Sequence, residues 1–306
     1  MQLIVPFAGV LSEAGRHAAQ SLTLPRLEHW LAGAATTGTF GADEDSLSAP
    51  HELALAQSLG WPLVDGLLPW ALRAARADGV PMAASALGQL TPVHLRLGTE
   101  QVTMTDPDAL ALDGSDARAL FDALRPLFGD AGFTLHWGAA QRWYVEHASL
   151  AGLATASLDR VIGRNVDPWL PETASSRPWQ RLLSETQMLL HTHEVNARRE
   201  ARGLDPVNSL WLSGCGTQAD ATRSAPLVDD RLRTPALRED WAAWADAWHA
   251  LDAGPIAALL GAAGGATLTL AGERRALSFD RRSVSPWQRL RAAWRRPAAH
   301  QLLDGL

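Results

Sequence analysis

Side chains that could bind an anion are concentrated between His191 and Gly216. The stretch HTHEVNARREARGLDPVNSLWLSGCG holds two histidines, two asparagines and three arginines before an apolar run that ends in glycines around Cys215. Asparagine and arginine donate hydrogen bonds, and the planar guanidinium group suits carboxylate and phosphate. Glycines allow close backbone approach, and successive exposed N–H groups in a glycine turn can form an anion nest. The stretch therefore predicts a site for a small anionic ligand.

We expect this site where a long helix meets the strand VNSLWLSG. Two further arginines in SLDRVIGR are four residues apart, so one helix face would present both as a clamp for the anion. The alternative interpretation is that these polar groups only tie a loop to the core, with the asparagines capping backbone ends. The predicted ligand-binding residues are Arg160, Arg164, Asn196, Arg199, Asn208, Gly214 and Gly216.

Metal and nucleophile chemistry are not favoured by the same stretch. His191 and His193 are two residues apart, so on a regular helix they point in different directions and cannot hold one metal ion. Cys215 has no base beside it in sequence, and a small buried residue at a strand end is the commoner role. We predict that Cys215 is buried and unreactive, and that the protein uses no metal and no cofactor.

Composition excludes several other classes of protein. The chain has 306 residues, a net charge of −6 and 27 basic residues, all of which are arginine. The acidic balance argues against a nucleic-acid partner, and we interpret the basic cluster Arg289–Pro297 as a solvated helix face. The lack of lysine excludes Schiff-base and P-loop lysine chemistry. No apolar run is long enough to cross a membrane and the first residues lack a secretory pattern, so we expect a cytoplasmic protein.

The pattern of elements predicts an α/β fold with a mixed sheet flanked by helices. QLIVPF is typical of a buried strand, and residues 34–49 of a loop rich in Gly, Ser and Asp. Residues 91–148 predict two hairpins around one helix, an inserted α+β unit of the order ββαββ. We expect the α/β core to comprise residues 1–90 and 149–306. Residues 178–201 predict one long helix ending at Gly203.

Several longer motifs resemble one protein family. They are WPLVDGLLPWALRA, LTPVHLRLG, SLDRVIGR, QMLLHTHEVNARREARG and PVNSLWLSGCG, which together span most of residues 50–216. They look like the signature of proteobacterial proteins described as Rpf-type regulatory proteins or as cofactor-independent phosphoglycerate-mutase-like proteins. The resemblance implies a fold distantly like that of cofactor-independent phosphoglycerate mutase and alkaline phosphatase.

The sequence departs from those mutases at the residues that carry their chemistry. In the related archaeal mutases the turn reads R-G-x-G, whereas this chain has Ser213 before Gly214 and Gly216. The mutases also use an Asp after the first strand and paired Asp and His ligands for two metal ions. LIVPFAGVLSEAG contains no Asp, and only His249 and His300 occur late in the chain.

Three functions remain open from the sequence. The first is a regulatory or binding protein for a small phosphorylated or carboxylated metabolite, without the metal ligands of a mutase. The alternative is a divergent phosphoglycerate mutase or related phosphotransfer enzyme. The second alternative is a protein–protein interaction module that uses a Trp-rich face, since the chain has 13 tryptophans.

Overall fold

The computed structural model divides the chain into two compact units, which are described separately. The first unit comprises Met1–Trp61 and Ala221–Leu306, and the second comprises Pro62–Asp220. The predicted α/β class with a mixed sheet flanked by helices is confirmed. The structure describes residues 1–41, 44–81, 86–216, 223–262, 265–281 and 299–306.

Within those ranges the strands and helices alternate along much of the chain. The strands are β1 (Gln2–Val5), β2 (Ala35–Phe40), β3 (Leu87–Val93), β4 (Leu95–Leu97), β5 (Val102–Met104), β6 (Thr134–Ala139), β7 (Arg142–Glu146), β8 (Ser209–Gly216), β9 (Leu227–Val228), β10 (Ala266–Ala271) and β11 (Ala276–Arg281). The helices are α1 (Glu13–Ser21), α2 (Pro25–Ala32), α3 (Pro50–Leu59), α4 (Trp70–Ala77), α5 (Gly114–Asp130), α6 (Leu158–Val161), α7 (Arg177–Thr192), α8 (Glu194–Ala201), α9 (Arg233–Leu237), α10 (Trp241–Leu251), α11 (Ala257–Leu260) and α12 (Ala299–Leu303).

The first unit is built on a five-stranded mixed sheet in the order β2-β11-β10-β1-β9. β1 lies between β9 and β10 and is parallel to both, whereas β10 and β11 form an antiparallel hairpin. Leu3, Ile4 and Val5 are all buried, as the apolar run of a strand covered on both faces requires. Helices α2 and α10 supply Trp30, Trp244 and other large side chains to the core of this unit.

One predicted loop is a strand. We expected residues 34–49 to lack regular structure, but Ala35–Phe40 forms β2 and pairs with β11 at the edge of the sheet. The run ATTGTF contains threonines and an aromatic residue, which suit a pleated, half-exposed surface. The partner strand β11 lies far away in sequence. The prediction therefore depended only on the local glycines and on the serines that follow.

A buried carboxylate joins two helices of the first unit. After α10 the chain makes a π-helical turn, Asp252–Ile256, which turns the Asp252 side chain towards the first turn of α2. The Asp252 carboxylate accepts hydrogen bonds from the backbone N–H of Leu27 at 2.7 Å and of Arg26 at 3.3 Å. Leu24 at the N-cap of α2 makes no side-chain cap, so Asp252 performs that role from a distant part of the chain.

The second unit contains an antiparallel four-stranded sheet in the order β6-β7-β3-β8. One face packs on α5 and α7, where Trp143 and Val145 of β7 join a large apolar cluster. The opposite face packs on α4, through Leu87 and Tyr144. The predicted ββαββ order is observed as β4, β5, α5, β6 and β7, and these elements form part of the unit that begins at Pro62.

The predicted long helix is two helices. α7 ends at Thr192, and His193 takes an extended conformation (φ −75°, ψ 135°) before α8 begins. The His193 ring accepts a hydrogen bond from the Val195 N–H at 3.2 Å, so it acts as the N-cap of α8. The predicted end at Gly203 is confirmed, because Gly203 has φ +70° and donates its N–H to the carbonyl of Glu200.

The prediction that the basic cluster Arg289–Pro297 is a solvated helix face falls outside the described residues. No helix in the described part of the chain has the length and apolar character needed to span a bilayer.

The cap supplied by Asp252 can be tested by mutation. We expect Asp252→Ala to lower the free energy of unfolding by about 1–2 kcal/mol, because two N–H groups at the start of α2 lose their acceptor. Asp246→Ala on the exposed face of α10 is the matched control and should change stability by less than about 0.5 kcal/mol. Chemical denaturation of the full chain measures both, and equal stabilities of the two variants would contradict the assigned role.

Candidate functional site

The predicted residue Asn196 lies buried between the end of α7 and the start of β8. Its Nδ2 donates to the carbonyls of Leu190 and Val207, both at 2.8 Å. Its Oδ1 accepts the N–H of Val207 at 2.9 Å. Both ends of the amide are therefore used to hold backbone groups at the end of α7 and just before β8.

Asn208 holds the entry of the same strand. Its Oδ1 accepts the N–H of Leu95 at 2.7 Å, and its Nδ2 donates to the Leu95 carbonyl at 2.8 Å. This pair of bonds imitates the exchange between two antiparallel strands. The side chain thus connects β4 to β8, which is the structural alternative foreseen for the asparagines.

Arg199 is fully buried on α8. Its Nε donates to the carbonyl of Asp205 at 3.0 Å, and its Nη2 donates to the carbonyl of Leu110. Nη1 is buried and has no hydrogen-bond acceptor among the described residues. The neighbouring Arg198 instead reaches the carboxylates of Asp116 and Glu194, each at 3.3 Å.

The two glycines of β8 lie against α4 and the segment before it. Gly214 has φ +67°, and a Cβ there would come within 2.9 Å of the Ala71 backbone nitrogen. A Cβ on Gly216 would lie 2.8 Å from the backbone nitrogen of Pro69. Both positions therefore need glycine to let backbone approach backbone.

The predicted arginine clamp is wrong in its geometry. α6 is a single turn that ends at Val161, and Gly163 follows with φ +76°. Arg160 is buried inside this turn, whereas Arg164 lies beyond it and is half-buried. The two side chains therefore do not share a helix face, because the turn-forming Gly163 ends the helix before it reaches Arg164.

A charged cluster that the sequence analysis missed lies on the α4 face of the four-stranded sheet. Arg142 of β7 binds Asp78 at the end of α4 with two hydrogen bonds, of 2.8 and 2.7 Å. The hydroxyl of Tyr144 donates to the same carboxylate at 2.6 Å. A Cβ on Gly138 would lie 2.7 Å from the Asp78 Oδ2, so glycine makes room for the carboxylate.

The cluster moves its own acid–base equilibria away from neutral pH. The hydrogen bonds from Arg142 lower the pKa of Asp78, with a further contribution from Tyr144. Burial, together with the hydrogen bond to Asp78, raises the pKa of the Tyr144 phenol. A general acid or base works best with a pKa near the working pH, so this arrangement fixes charges and does not transfer protons.

A hydrogen bond between a histidine and a carboxylate continues the polar face beside this cluster. Tyr144 pairs across the ladder with His136 of β6, whose Nε2 lies 3.1 Å from the Glu146 carboxylate. In RWYVE the residues Arg142, Tyr144 and Glu146 alternate with Trp143 and Val145, which point into the core. This alternation was the available signal, and pairing it with Asp78 needed the tertiary structure.

The residues after β1 were the other place to look for chemistry, since ligands of open α/β sheets bind at the carboxyl ends of parallel strands. Here the chain reads Pro6, Phe7, Ala8, Gly9 and Val10. Phe7 has φ +55°, and its carbonyl accepts the Trp244 Nε1 hydrogen bond at 3.0 Å. None of these side chains can ligate a metal ion or accept a phosphoryl group.

Elsewhere in the described ranges, no three His, Cys, Asp or Glu side chains come together in a way that could hold a metal ion. Cys215, in β8, is fully buried, and burial raises the pKa of its thiol to about 12. The predicted burial of this cysteine is therefore confirmed.

The chain has weak sequence homology to cofactor-independent phosphoglycerate mutases. It is 24% identical over 120 residues to the 2,3-bisphosphoglycerate-independent phosphoglycerate mutase of Methanosarcina mazei, covering 39% of this chain and 30% of that enzyme. It is 23% identical over 155 residues to a probable enzyme of the same name from Geobacter sulfurreducens, covering 47% of this chain and 39% of that protein. The match thus spans well under half of the length of these relatives. No protein-family model matches the chain.

Two solved structures are similar along most of the chain. A cofactor-independent phosphoglycerate mutase from Thermoplasma acidophilum has a TM-score of 0.40 and 14% identity, with coverage of 100% of this chain and 98% of that one. A protein from Pyrococcus horikoshii has a TM-score of 0.47 and 10% identity, covering 92% of this chain and 87% of its own.

The charged cluster predicts an unusual titration of Tyr144, the only tyrosine of the chain. The phenolate absorbance of the folded protein should appear only above the ordinary tyrosine pKa of about 10, and should appear near that value after unfolding. The pKa of Tyr144 is higher in the folded than in the unfolded state. Its contribution to the free energy of unfolding is therefore complete below pH ~10 and is lost as the pH rises through the folded pKa. Ordinary titration in the folded state would contradict the cluster.

The buried thiol predicts slow chemistry at Cys215. In the native protein, Cys215 should react with a thiol reagent only at the rate of local unfolding. The thiolate is the nucleophile, and the buried thiol is both protonated and inaccessible. Denatured protein, as the control, should be labelled at once and stoichiometrically. Rapid stoichiometric labelling of the native protein would restore the nucleophile interpretation.

Proposed function

We propose that this protein is a phosphoglycerate-mutase-like protein that binds a small anionic metabolite, phosphorylated or carboxylated, and does not carry out metal-dependent mutase turnover. The observation that carries the proposal is the carboxyl end of β1. A mutase of this type needs a metal-ligating carboxylate there, and Pro6–Val10 offers only apolar side chains. A cytoplasmic location and a regulatory role of the Rpf type remain predictions.

The two metal ions implied by the mutase resemblance do not fit the residues present. A two-metal site clamps the attacking and leaving oxygens of phosphoryl transfer with carboxylate and imidazole ligands. After β1 such ligands are absent, and the other described residues form no ligand cluster. No reaction step is therefore derived through metal ions.

Anion binding is favoured by the chemistry of the arginine side chains. Every basic residue apart from histidine is an arginine, and the guanidinium fork recognises carboxylate and phosphate through paired hydrogen bonds. In the second unit, Arg199 has one buried nitrogen without a described acceptor, and Arg164 is half-buried. The predicted junction of α8 and β8 is thus one place where an anion could bind.

A divergent mutase is the competing function, and the sequence match to mutases favours it. No observation favours the interaction module. Trp244 and Trp248 of the Trp-rich helix α10 are fully buried in the core of the first unit, where their rings meet edge to face at 6.0 Å. Trp244 and Trp248 are therefore not offered to a partner, and Trp241 of the same helix is partly buried against that core.

The proposal is tested by one assay and one screen on the full chain. A coupled enolase assay with Mn²⁺ or Mg²⁺ should give no turnover above a contaminant control. A thermal-shift screen of phosphorylated and carboxylated three-carbon acids should find a stabilising ligand, worth about 2.7 kcal/mol at 100 times its dissociation constant. Metal-dependent turnover would establish the divergent mutase instead.

Alanine variants test whether the anion binds in the second unit. If the junction binds it, Arg164→Ala should abolish the ligand-induced shift. Arg199→Ala should destabilise the free protein by about 2–3 kcal/mol, because the carbonyls of Asp205 and Leu110 lose a charged donor in the interior. A ligand-induced shift that survives Arg164→Ala would place the anion elsewhere.

A further inference from the structure

Residues 299–306 fill the carboxyl edge of the parallel strands in the first unit. α12 leads to Leu306, which is buried with 1% of its surface exposed. A Cβ on Gly9, after β1, would lie 2.7 Å from the Leu306 Cβ, and a Cβ on Gly272, after β10, would lie at the same distance. The two glycines therefore form a slot that receives Leu306.

The turn between β10 and β11 holds the main chain of the same residue. The backbone N–H groups of Arg274 and Arg275 both donate to the Leu306 oxygen at 3.0 Å. The turn is closed by the Gly272 N–H, which donates to the Arg275 carbonyl at 3.0 Å. Two neighbouring N–H groups that converge on one oxygen form a nest, which suits an oxygen that carries negative charge.

Arginine side chains lie beside this nest. Two of them bind acceptors on the segment 304–306. Nε of Arg275 donates to the carbonyl of Gly305, and Nε of Arg16 lies 3.2 Å from the Asp304 carboxylate. Arg274 pairs with Glu44. If residues 304–306 withdrew, Arg16 and Arg275 would lose these acceptors beside two freed N–H groups, and the edge would become strongly attractive to an anion.

We propose that the turn Gly272–Arg275, with Arg16, is the binding site of the small anionic metabolite, and that Asp304–Leu306 occupies this site until the metabolite displaces it. The inference rests on the proposed function and gives its ligand a location, at the edge where open α/β sheets bind ligands. The chain's own oxygen and carboxylate take the positions of the ligand's oxygens. The apparent affinity for the anion is consequently reduced by the fraction of molecules in which the segment is displaced.

Gly9→Ala provides the test, with inorganic phosphate as the probe, because a Cβ there meets the Leu306 Cβ at 2.7 Å and Gly9 is not part of the proposed site. The new methyl group should push Leu306 out of the slot, so the amides of Arg274 and Arg275 should exchange hydrogen faster. Phosphate should then bind at least about tenfold more tightly than to the unaltered protein. Gly254→Ala is the matched control, since a Cβ there meets nothing within 4 Å, and it should leave both quantities unchanged.

A second variant, which lacks residues 304–306 but keeps α12, should show the same gain if Gly9→Ala folds poorly. Adding Arg275→Ala to either variant should remove the gain. The proposal is overturned if the two amides exchange faster while phosphate affinity stays the same, or if Gly9→Ala leaves their exchange unchanged.

The outcome is separable from that of the proposed function. Anion binding that survives Arg275→Ala but disappears in Arg164→Ala would place the site in the second unit, and would overturn this inference alone. Failure of every variant to bind any of the screened anions would overturn both.

Discussion

Buried backbone groups must find hydrogen-bond partners, and this protein supplies them with side chains wherever a helix or strand stops. Asn196 joins the end of α7 to the start of β8, Asn208 extends the ladder to Leu95, and Asp252 caps α2 from across the first unit. These bonds fix where each element begins. The polar residues that the sequence indicated as ligand donors largely form these structural hydrogen bonds instead.

The same requirement explains the buried arginine of α8. Arg199 has no carboxylate partner among the described residues and instead holds two carbonyls from separate loops. A guanidinium group can do this because its donors spread in a fixed plane.

The carboxyl edge of β1 connects the fold to the question of function. Its side chains are apolar, and glycines at positions 9 and 272 allow another part of the chain to lie directly against the strands. A mutase would place its reactive groups at such an edge, whereas this protein places Leu306 and two backbone N–H groups there. The edge therefore presents hydrogen-bond donors, and in this structure the Leu306 oxygen accepts from them.

The sequence by itself determined the α/β class, most strands and helices, the end of α8 at Gly203 and the burial of Cys215, because local periodicity and glycine positions carry that information. Only the tertiary structure decided the break at His193, the single turn of α6, the pairing of β2 and the roles of the asparagines. Local residues contribute to the first two, since His193 caps Val195 and Gly163 ends α6. The pairing of β2 with β11 and the bonds of Asn208 to Leu95 depend on contacts between residues distant in sequence. Arg142, Tyr144 and Asp78 show the reason most clearly: alternation along β7 predicts a polar face, but the carboxylate that organises it arrives from α4.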